Sequence, residues 1–278
     1  MASLEGHTEI VKFLLERNPN VDLCDKDGCS ALYYASDQRH TDIVKLLLER
    51  NPDVDLCDND GCSLLYMASE EGNTDIVKLL LERNPDVDLC DNDGQSPLFM
   101  ASCYGHTDTV KLLLEKDPKV DLYDNDGWSP LLRASCIGRT DIVKLLLKRN
   151  PNVDLCDKDG CSALYYASDQ GHTDIVKLLL ERNPDVDLCD KDGCSLLYMA
   201  SVEGNTDIVK LLLERNPKVD LCDNDGWSPL LMTSCIGHTD IVKLLLEKNP
   251  NVDLCDKDGW SPLNHASDQG HTDIVKLL

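Results

Sequence analysis

The dipeptide Asp-Gly recurs with its glycine at positions 28, 61, 94, 127, 160, 193, 226 and 259, a constant spacing of 33 residues. The stretch Asp42-Ile43-Val44-Lys45-Leu46-Leu47-Leu48 recurs in the same phase. Eight of the 16 glycines are these turn glycines, and the other eight, from Gly6 to Gly270, precede His, Asn or Arg followed by Thr. Eight of the 12 prolines close the apolar stretch, as in Asn51-Pro52, and the other four are Pro97, Pro130, Pro229 and Pro262 in Ser-Pro-Leu. No glycine or proline falls outside these columns, so the chain is repeat throughout. A period of this size means stacked supersecondary units, each burying its apolar face on its neighbours, rather than globular domains counted from length.

One unit can be read from its parts. Asp25-Lys26-Asp27-Gly28 is a turn in which glycine supplies the positive φ and aspartate caps locally. Ser30 caps a short helix through Leu32, Tyr33, Ala35 and Ser36, and where proline occurs it takes the first helical position. Position 39, usually glycine, suits a left-handed C-cap. Thr41 is expected to cap a second helix, with Asp42 placing negative charge at its positive end. Ile43, Val44, Leu46, Leu47 and Leu48 are its expected buried face. Asn51 ends that helix in the left-handed conformation and Pro52 blocks continuation. Val54-Asp55-Leu56 then leads, extended, into the next turn.

Asp91-Asn92-Asp93-Gly94-Gln95-Ser96-Pro97-Leu98-Phe99-Met100-Ala101-Ser102-Cys103-Tyr104-Gly105-His106 resembles the ankyrin-repeat pattern D-x-x-G-x-T-P-L-H-x-A-A-x-x-G-H, and the resemblance covers the whole chain. It implies an all-α ankyrin-repeat solenoid, with two helices and a β-hairpin or turn per repeat. Three departures stand out. The family's Thr–His pair becomes Ser with Tyr, Phe, Leu or Asn (Ser30/Tyr33, Ser261/Asn264), so its hydrogen bond is expected to be weakened or absent. The second Ala of the pattern is Ser. The family's Gly-Ala after the second helix is Asn-Pro, and once Asp117-Pro118.

Counted from the first turn aspartate, the complete repeats are 25–57, 58–90, 91–123, 124–156, 157–189, 190–222 and 223–255, with partial repeats at 1–24 and 256–278, in a single array over 1–278. Met1-Ala2-Ser3 aligns with Met67-Ala68-Ser69, and neither end carries an atypical polar capping sequence, so the chain reads as a fragment of a longer array. Residues 25–57 and 157–189 differ only at Arg39 versus Gly171, which marks a duplicated block of four repeats.

Composition narrows the function. The 51 acidic and 27 basic residues leave a formal charge of −24, which repels nucleic acid and anionic lipid. No apolar run approaches the roughly 18 residues of a membrane span. Met1-Ala2-Ser3-Leu4-Glu5-Gly6-His7 lacks the basic region and apolar core of a signal peptide. Regular Leu, Ile and Val spacing argues against disorder. The expectation is a chain located inside the cell, in the cytoplasm, with the nucleus as an alternative.

Catalysis needs a singular constellation of side chains. Here His40, His106, His172, His238 and His271 occupy one repeated column, which marks scaffold residues, so no enzyme activity, catalytic residue or cofactor is expected. Of the 14 cysteines, seven precede the turn (Cys24 to Cys255), four follow its glycine (Cys29, Cys62, Cys161, Cys194) and three lie on the first helix (Cys103, Cys136, Cys235). Their spacing is not that of a structural zinc site, and without a secretory signal a reducing compartment is preferred over disulfides. No metal site is expected. The Asp-x-Asp-Gly turn fails as a calcium loop, because Leu23 and Tyr34 stand at the two essential acidic positions.

In the ankyrin family, partners are held by hairpin tips and by the exposed face of the first helix. The columns that vary most in this chain are those. The residue after the turn glycine is Cys29, Cys62, Gln95, Trp128, Cys161, Cys194, Trp227 or Trp260, and the position-34 column runs Tyr34, Met67, Met100, Arg133, Tyr166, Met199, Met232 and His265. Tyr104, Trp128 and Ile137 are expected to be neighbours, as are Trp227, Ile236 and Trp260, with the three tryptophans exposed. With Arg133, these are the candidate partner-binding residues. Residues 58–90 carry eight acids and two bases, whereas 124–156 carry four acids and five bases, so the acidic surface is interrupted beside Trp128. The leading reading is a non-catalytic interaction scaffold that binds a protein or extended peptide, favouring one with basic residues. Two alternatives are a targeting or spacer segment of a longer chain carrying an enzyme, channel or signalling domain, and cysteine-based metal or redox sensing.

Overall fold

Serine opens the first helix of each repeat, as its position beside the turn requires. In the computed structural model, which describes residues 1–278, Ser30 Oγ accepts the backbone N–H of Tyr33 at 3.1 Å. Ser63, Ser96, Ser129, Ser162, Ser195, Ser228 and Ser261 each do the same three residues on. Where proline follows, it is the first helical residue, at Pro97, Pro130, Pro229 and Pro262. The second helix starts differently from expectation. His40 takes the cap position with no side-chain cap bond, and Thr41 is already helical. The imidazole is turned across to the preceding repeat, where His40 Nε2 lies 3.1 Å from Leu4 O. Threonine hydroxyls in this column point back instead, as Thr74 Oγ1 donates to Gly72 O at 3.3 Å.

The chain forms two compact units, Met1–Ala134 with Asp141–Pro151, and Ser135–Thr140 with Asn152–Leu278. The first contains α1 (Thr8–Leu15), α2 (Ala31–Asp37), α3 (Thr41–Leu48), α4 (Leu64–Glu70), α5 (Thr74–Leu81), α6 (Pro97–Tyr104) and α7 (Thr107–Leu114). The second contains α10 (Ala163–Asp169), α11 (Thr173–Leu180), α12 (Leu196–Val202), α13 (Thr206–Leu213), α14 (Pro229–Ile236), α15 (Thr239–Leu246), α16 (Pro262–Asp268) and α17 (Thr272–Leu277). Between them in sequence, α8 (Pro130–Cys136) and α9 (Thr140–Leu147) have residues in both units. Helices this short are unstable alone, so packing must hold them. Within the first unit α2 packs on α4 and α4 on α6, while α1, α3, α5 and α7 pack in a second series. The second unit repeats this with α10, α12, α14 and α16 against α11, α13, α15 and α17.

Ile43, Val44, Leu47 and Leu48 are buried. Leu46 is only half-buried, because helical spacing sets it on the outer side with Asp42, Lys45 and Glu49. Asn51 and its equivalents have positive φ, 50° at Asn51 and 55° at Asp117. Val54-Asp55 forms a turn rather than the expected extended segment, because Asp53 Oδ1 accepts the N–H of Asp55 at 3.0 Å. There is no sheet, only isolated antiparallel bridges at Cys57–Ser63, Cys156–Ser162 and Cys189–Ser195.

Aspartates tie successive repeats together. Asp55 Oδ1 accepts the N–H of Asp86 at 2.9 Å, Asp88 Oδ1 that of Lys119 at 2.9 Å and Asp187 Oδ1 that of Lys218 at 2.8 Å. At the tips, the Asn59 N–H donates to Asp27 O and its Nδ2 to Lys26 O. At Ser30/Tyr33 and Ser162/Tyr165 the tyrosine hydroxyl bonds to the next turn instead of to the serine, and Phe99, Leu132 and Leu231 in the same column have no side-chain hydrogen-bonding atom. Tyr33 Oη donates to Asp58 Oδ2 of the next turn at 2.9 Å, and Tyr165 Oη to Asp190 Oδ2 at 2.8 Å. At Asn264 the within-repeat bond survives, with Ser261 N and Oγ both donating to Asn264 Oδ1.

The left-handed glycine column is coupled to the following repeat. A Cβ on Gly72 would lie 2.4 Å from His106 Nδ1, on an imidazole whose Nε2 is 2.8 Å from Glu70 O. Gly171 instead faces Asn205, with nothing nearer than 3.5 Å. Arg39, the one non-glycine of the column, has φ 58° and precedes Asn73, not histidine, at the equivalent place. Its guanidinium reaches Glu71 Oε2 at 3.0 Å. Gly171→Ala is therefore expected to lose only about 1 kcal/mol, the left-handed strain. Gly72→Ala also displaces His106 and is expected to lose roughly 3 kcal/mol in urea unfolding.

Serine in the family's second alanine column leaves buried hydroxyls at Ser36, Ser69, Ser135, Ser168, Ser201 and Ser234 without a hydrogen-bond partner. Ser102 differs, as its Oγ donates to Leu98 O at 2.7 Å. Ser69→Ala or Ser168→Ala should stabilise the protein by about 1 kcal/mol each in urea unfolding, since the lost hydroxyl made no bond. Ser102→Ala should give no gain.

Candidate partner-binding surface

One carboxylate holds each hairpin tip. Asp124 Oδ1 accepts the N–H groups of Asp126 and Trp128, both at 2.9 Å. Asp223 does the same for Asp225 and Trp227, and Asp256 for Asp258 and Trp260. Each tryptophan thus enters its helix from a fixed backbone. The second carboxylate oxygen takes a side chain nine residues on: Tyr34 on Asp25 and Tyr166 on Asp157, both at 2.5 Å, and His265 on Asp256 at 2.8 Å. The Tyr34 hydroxyl, then the Cys29 N–H, hold the Asp25 carboxyl below the usual range. His265, then the Trp260 N–H, do the same for Asp256.

Three of the sequence candidates meet in the first unit. Tyr104, Trp128 and Arg133 line a groove of about 300 Å³ together with Gln95, Phe99, Met100, Cys103, Asp124 and Asp126. Phe99 and Met100 are buried with Tyr66, and Trp128 packs against that cluster. Tyr104 is 51% exposed and stacks on His106, with ring centroids 6.3 Å apart. The negative charge of Glu70 raises the affinity of its phenol for the proton, and burial does the same for the Glu70 carboxyl. The Arg133 guanidinium lies 5.3 Å from the Trp128 ring centroid, and its Nε donates to Cys103 Sγ at 3.4 Å.

The second aromatic site lies in the second unit. Trp227 and Trp260 come together through His265, whose ring centroid is 4.8 Å from the first indole and 5.2 Å from the second. Ile236 ends α14 and is 42% exposed. Ile137, half-buried, follows α8 and belongs to the second unit. Of the three tryptophans expected on the surface, only Trp260 is exposed. Trp128 and Trp227 are half-buried, because each lies against side chains of its own unit: the Tyr66 cluster for one, His265 for the other. Sequence reasoning did not find the role of His265, although its nine-residue distance from Asp256 equals that of Tyr34 from Asp25.

All 14 cysteines are free thiols. No group of three or more His, Cys, Asp or Glu side chains is arranged to hold a metal ion. Burial, reinforced by the turn aspartates, pushes the Cys62, Cys161 and Cys194 thiols up to about 12. Reactive or metal-binding thiols need the opposite shift. Iodoacetamide labelling at pH 8, followed by mass spectrometry, should modify the exposed Cys24 and Cys255 first. Cys62, Cys161 and Cys194 should react more than about a hundredfold slower than an ordinary thiol.

Paired short helices, stacked on their sequence neighbours and entered through aspartate-held turns, define a helical repeat protein. The model of ankyrin repeats in three copies matches residues 1–91, 64–157, 138–221 and 197–278, and the chain belongs to the ankyrin-repeat family. No curated protein matches it. Ankyrin repeats are generally protein–protein interaction modules and are typically non-catalytic. No helix is long and apolar enough to cross a membrane.

Proposed function

We propose that this chain is a non-catalytic scaffold or adaptor that binds a protein or extended peptide through its hairpin tips and the adjoining faces of the first helices. The groove formed by Tyr104, Trp128 and Arg133 carries this reading. It offers aromatic and arginine side chains, the types that anchor most interfaces, with Trp128 packed on a buried cluster. Ile137, Trp227, Ile236 and Trp260 extend the proposal to the second unit. The charge of −24 supports a partner with basic residues and disfavours nucleic acid and anionic membranes. Fourteen free thiols suit a reducing compartment, which supports the cytoplasm.

Affinity capture with the full chain tests this, comparing wild type with Tyr104→Ala plus Trp128→Ala and with Trp227→Ala plus Trp260→Ala. Truncating an anchor costs about 2 kcal/mol, or roughly thirtyfold in Kd, so captured partners should be lost from the first double variant while its circular dichroism stays unchanged. An identical set of partners from all three proteins would rule the surface out.

A further inference from the structure

The residue nine positions after a turn aspartate has two different neighbours in this chain. In the repeats whose turn ends in Cys or Gln, that residue is Tyr34, Met67, Met100, Tyr166 or Met199. At two of the three tryptophan turns it is Arg133 or His265, and each lies on the indole of its own turn. The two sites correspond in the repeat, Gln95, Trp128 and Arg133 in one unit matching Trp227, Trp260 and His265 in the other. His265 fills the second site, within about 5 Å of two indoles and bonded to Asp256. The first site stays open, as a groove of about 300 Å³.

Resting on the interaction reading above, we infer that the Trp128 groove receives an arginine or lysine side chain of an extended basic peptide, and that Arg133 is the chain's own occupant of the indole face, competing with it. An indole face attracts a guanidinium or ammonium through its ring quadrupole. The geometry of Arg133 over Trp128 shows that this face accommodates a guanidinium. The charges of the groove favour the same ligand. Asp124 and Asp126 line it, and Glu70 acts on Tyr104 beside it. Two repeats earlier, residues 58–90 carry eight acids against two bases, and of the five bases in the groove's own repeat, 124–156, only Arg133 lines the groove. An anionic side chain would meet one guanidinium among several carboxylates, whereas a cationic one meets those carboxylates and the indole together. Arg133 therefore weakens binding of the ligand it imitates.

Fluorescence anisotropy on the full chain tests this with a fluorescein-labelled ten-residue peptide of alternating Arg and Ser, and with its Glu–Ser counterpart. Wild type should bind the Arg–Ser peptide and not the Glu–Ser peptide. Trp128→Ala should weaken binding about tenfold, and Arg133→Met should tighten it by about the same factor. Methionine is the residue of this column at Met67 and Met100, so the variant keeps the repeat's own packing. Removing a positive charge alone would also favour a basic peptide, so the decisive protein is Arg133→Met combined with Trp128→Ala. Its gain over Trp128→Ala alone should vanish, because the occupied face is gone. A gain that persists there, a loss of affinity on Arg133→Met, or preference for the Glu–Ser peptide would each overturn the inference. If captured protein partners are lost from both Trp128→Ala and Arg133→Met, the interaction surface stands and the basic-side-chain assignment falls.

Discussion

The repeats are organised around a carboxylate whose two oxygens do different things. Oδ1 of the turn aspartate accepts two backbone N–H groups, at the second and fourth residues on, which fixes the hairpin tip and the entry to the first helix. Oδ2 takes a hydroxyl or imidazole from a side chain, either nine residues later, as with Tyr34 and His265, or from the preceding repeat, as with Tyr33 on Asp58. A glutamate would place the same oxygens one methylene too far to close the tight turn, and an asparagine could accept at only one of its two positions. Short helices that are unstable alone begin in register because this group sets where each chain segment enters.

Part of the acidic balance of the chain follows from the same use of aspartate. Asp55, Asp88 and Asp187 spend their carboxylates on N–H groups of the next repeat. Part of the surface charge of −24 thus serves stacking, and the same carboxylates keep the negative charge that favours a basic partner. What remains informative is where that pattern meets aromatic side chains, at Trp128 in one unit and at Trp227 and Trp260 in the other.

Much of the fold was legible because it depends on neighbours in sequence. The serine caps, proline at the first helical position, and left-handed Asn51 all follow from local chemistry. Thr41 failed as a cap because it is itself the first helical residue, and the residue before it holds the cap position whether it is His40, Asn73, or His7 at the start of the chain. Leu46 was misplaced for a simpler reason, since an apolar run of three exceeds the width of the buried stripe. Periodicity set Tyr104, Trp128 and Ile137 together, whereas the groove joins Tyr104 and Trp128 with Arg133 and is not lined by Ile137. Their degree of burial was not readable. It depends on Phe99, Met100 and Tyr66 closing beneath Trp128, and on His265 entering between Trp227 and Trp260.

The glycine facing each histidine makes adjacent repeats partners in a matching rule rather than interchangeable blocks. Arg39 is followed by Asn73, while Gly72, Gly138, Gly204 and Gly237 are followed by His106, His172, His238 and His271. A recombination joint that set Arg39 ahead of a histidine repeat would drive its Cβ into an imidazole. One that set any glycine ahead of an asparagine repeat would be tolerated, as Gly171 ahead of Asn205 demonstrates. Arrays of this kind can therefore lengthen freely by copying runs whose junctions keep the pairing, and the near-identical residues 25–57 and 157–189, both followed by asparagine repeats, obey it. The grammar of growth is written in a contact of a few ångströms between consecutive units.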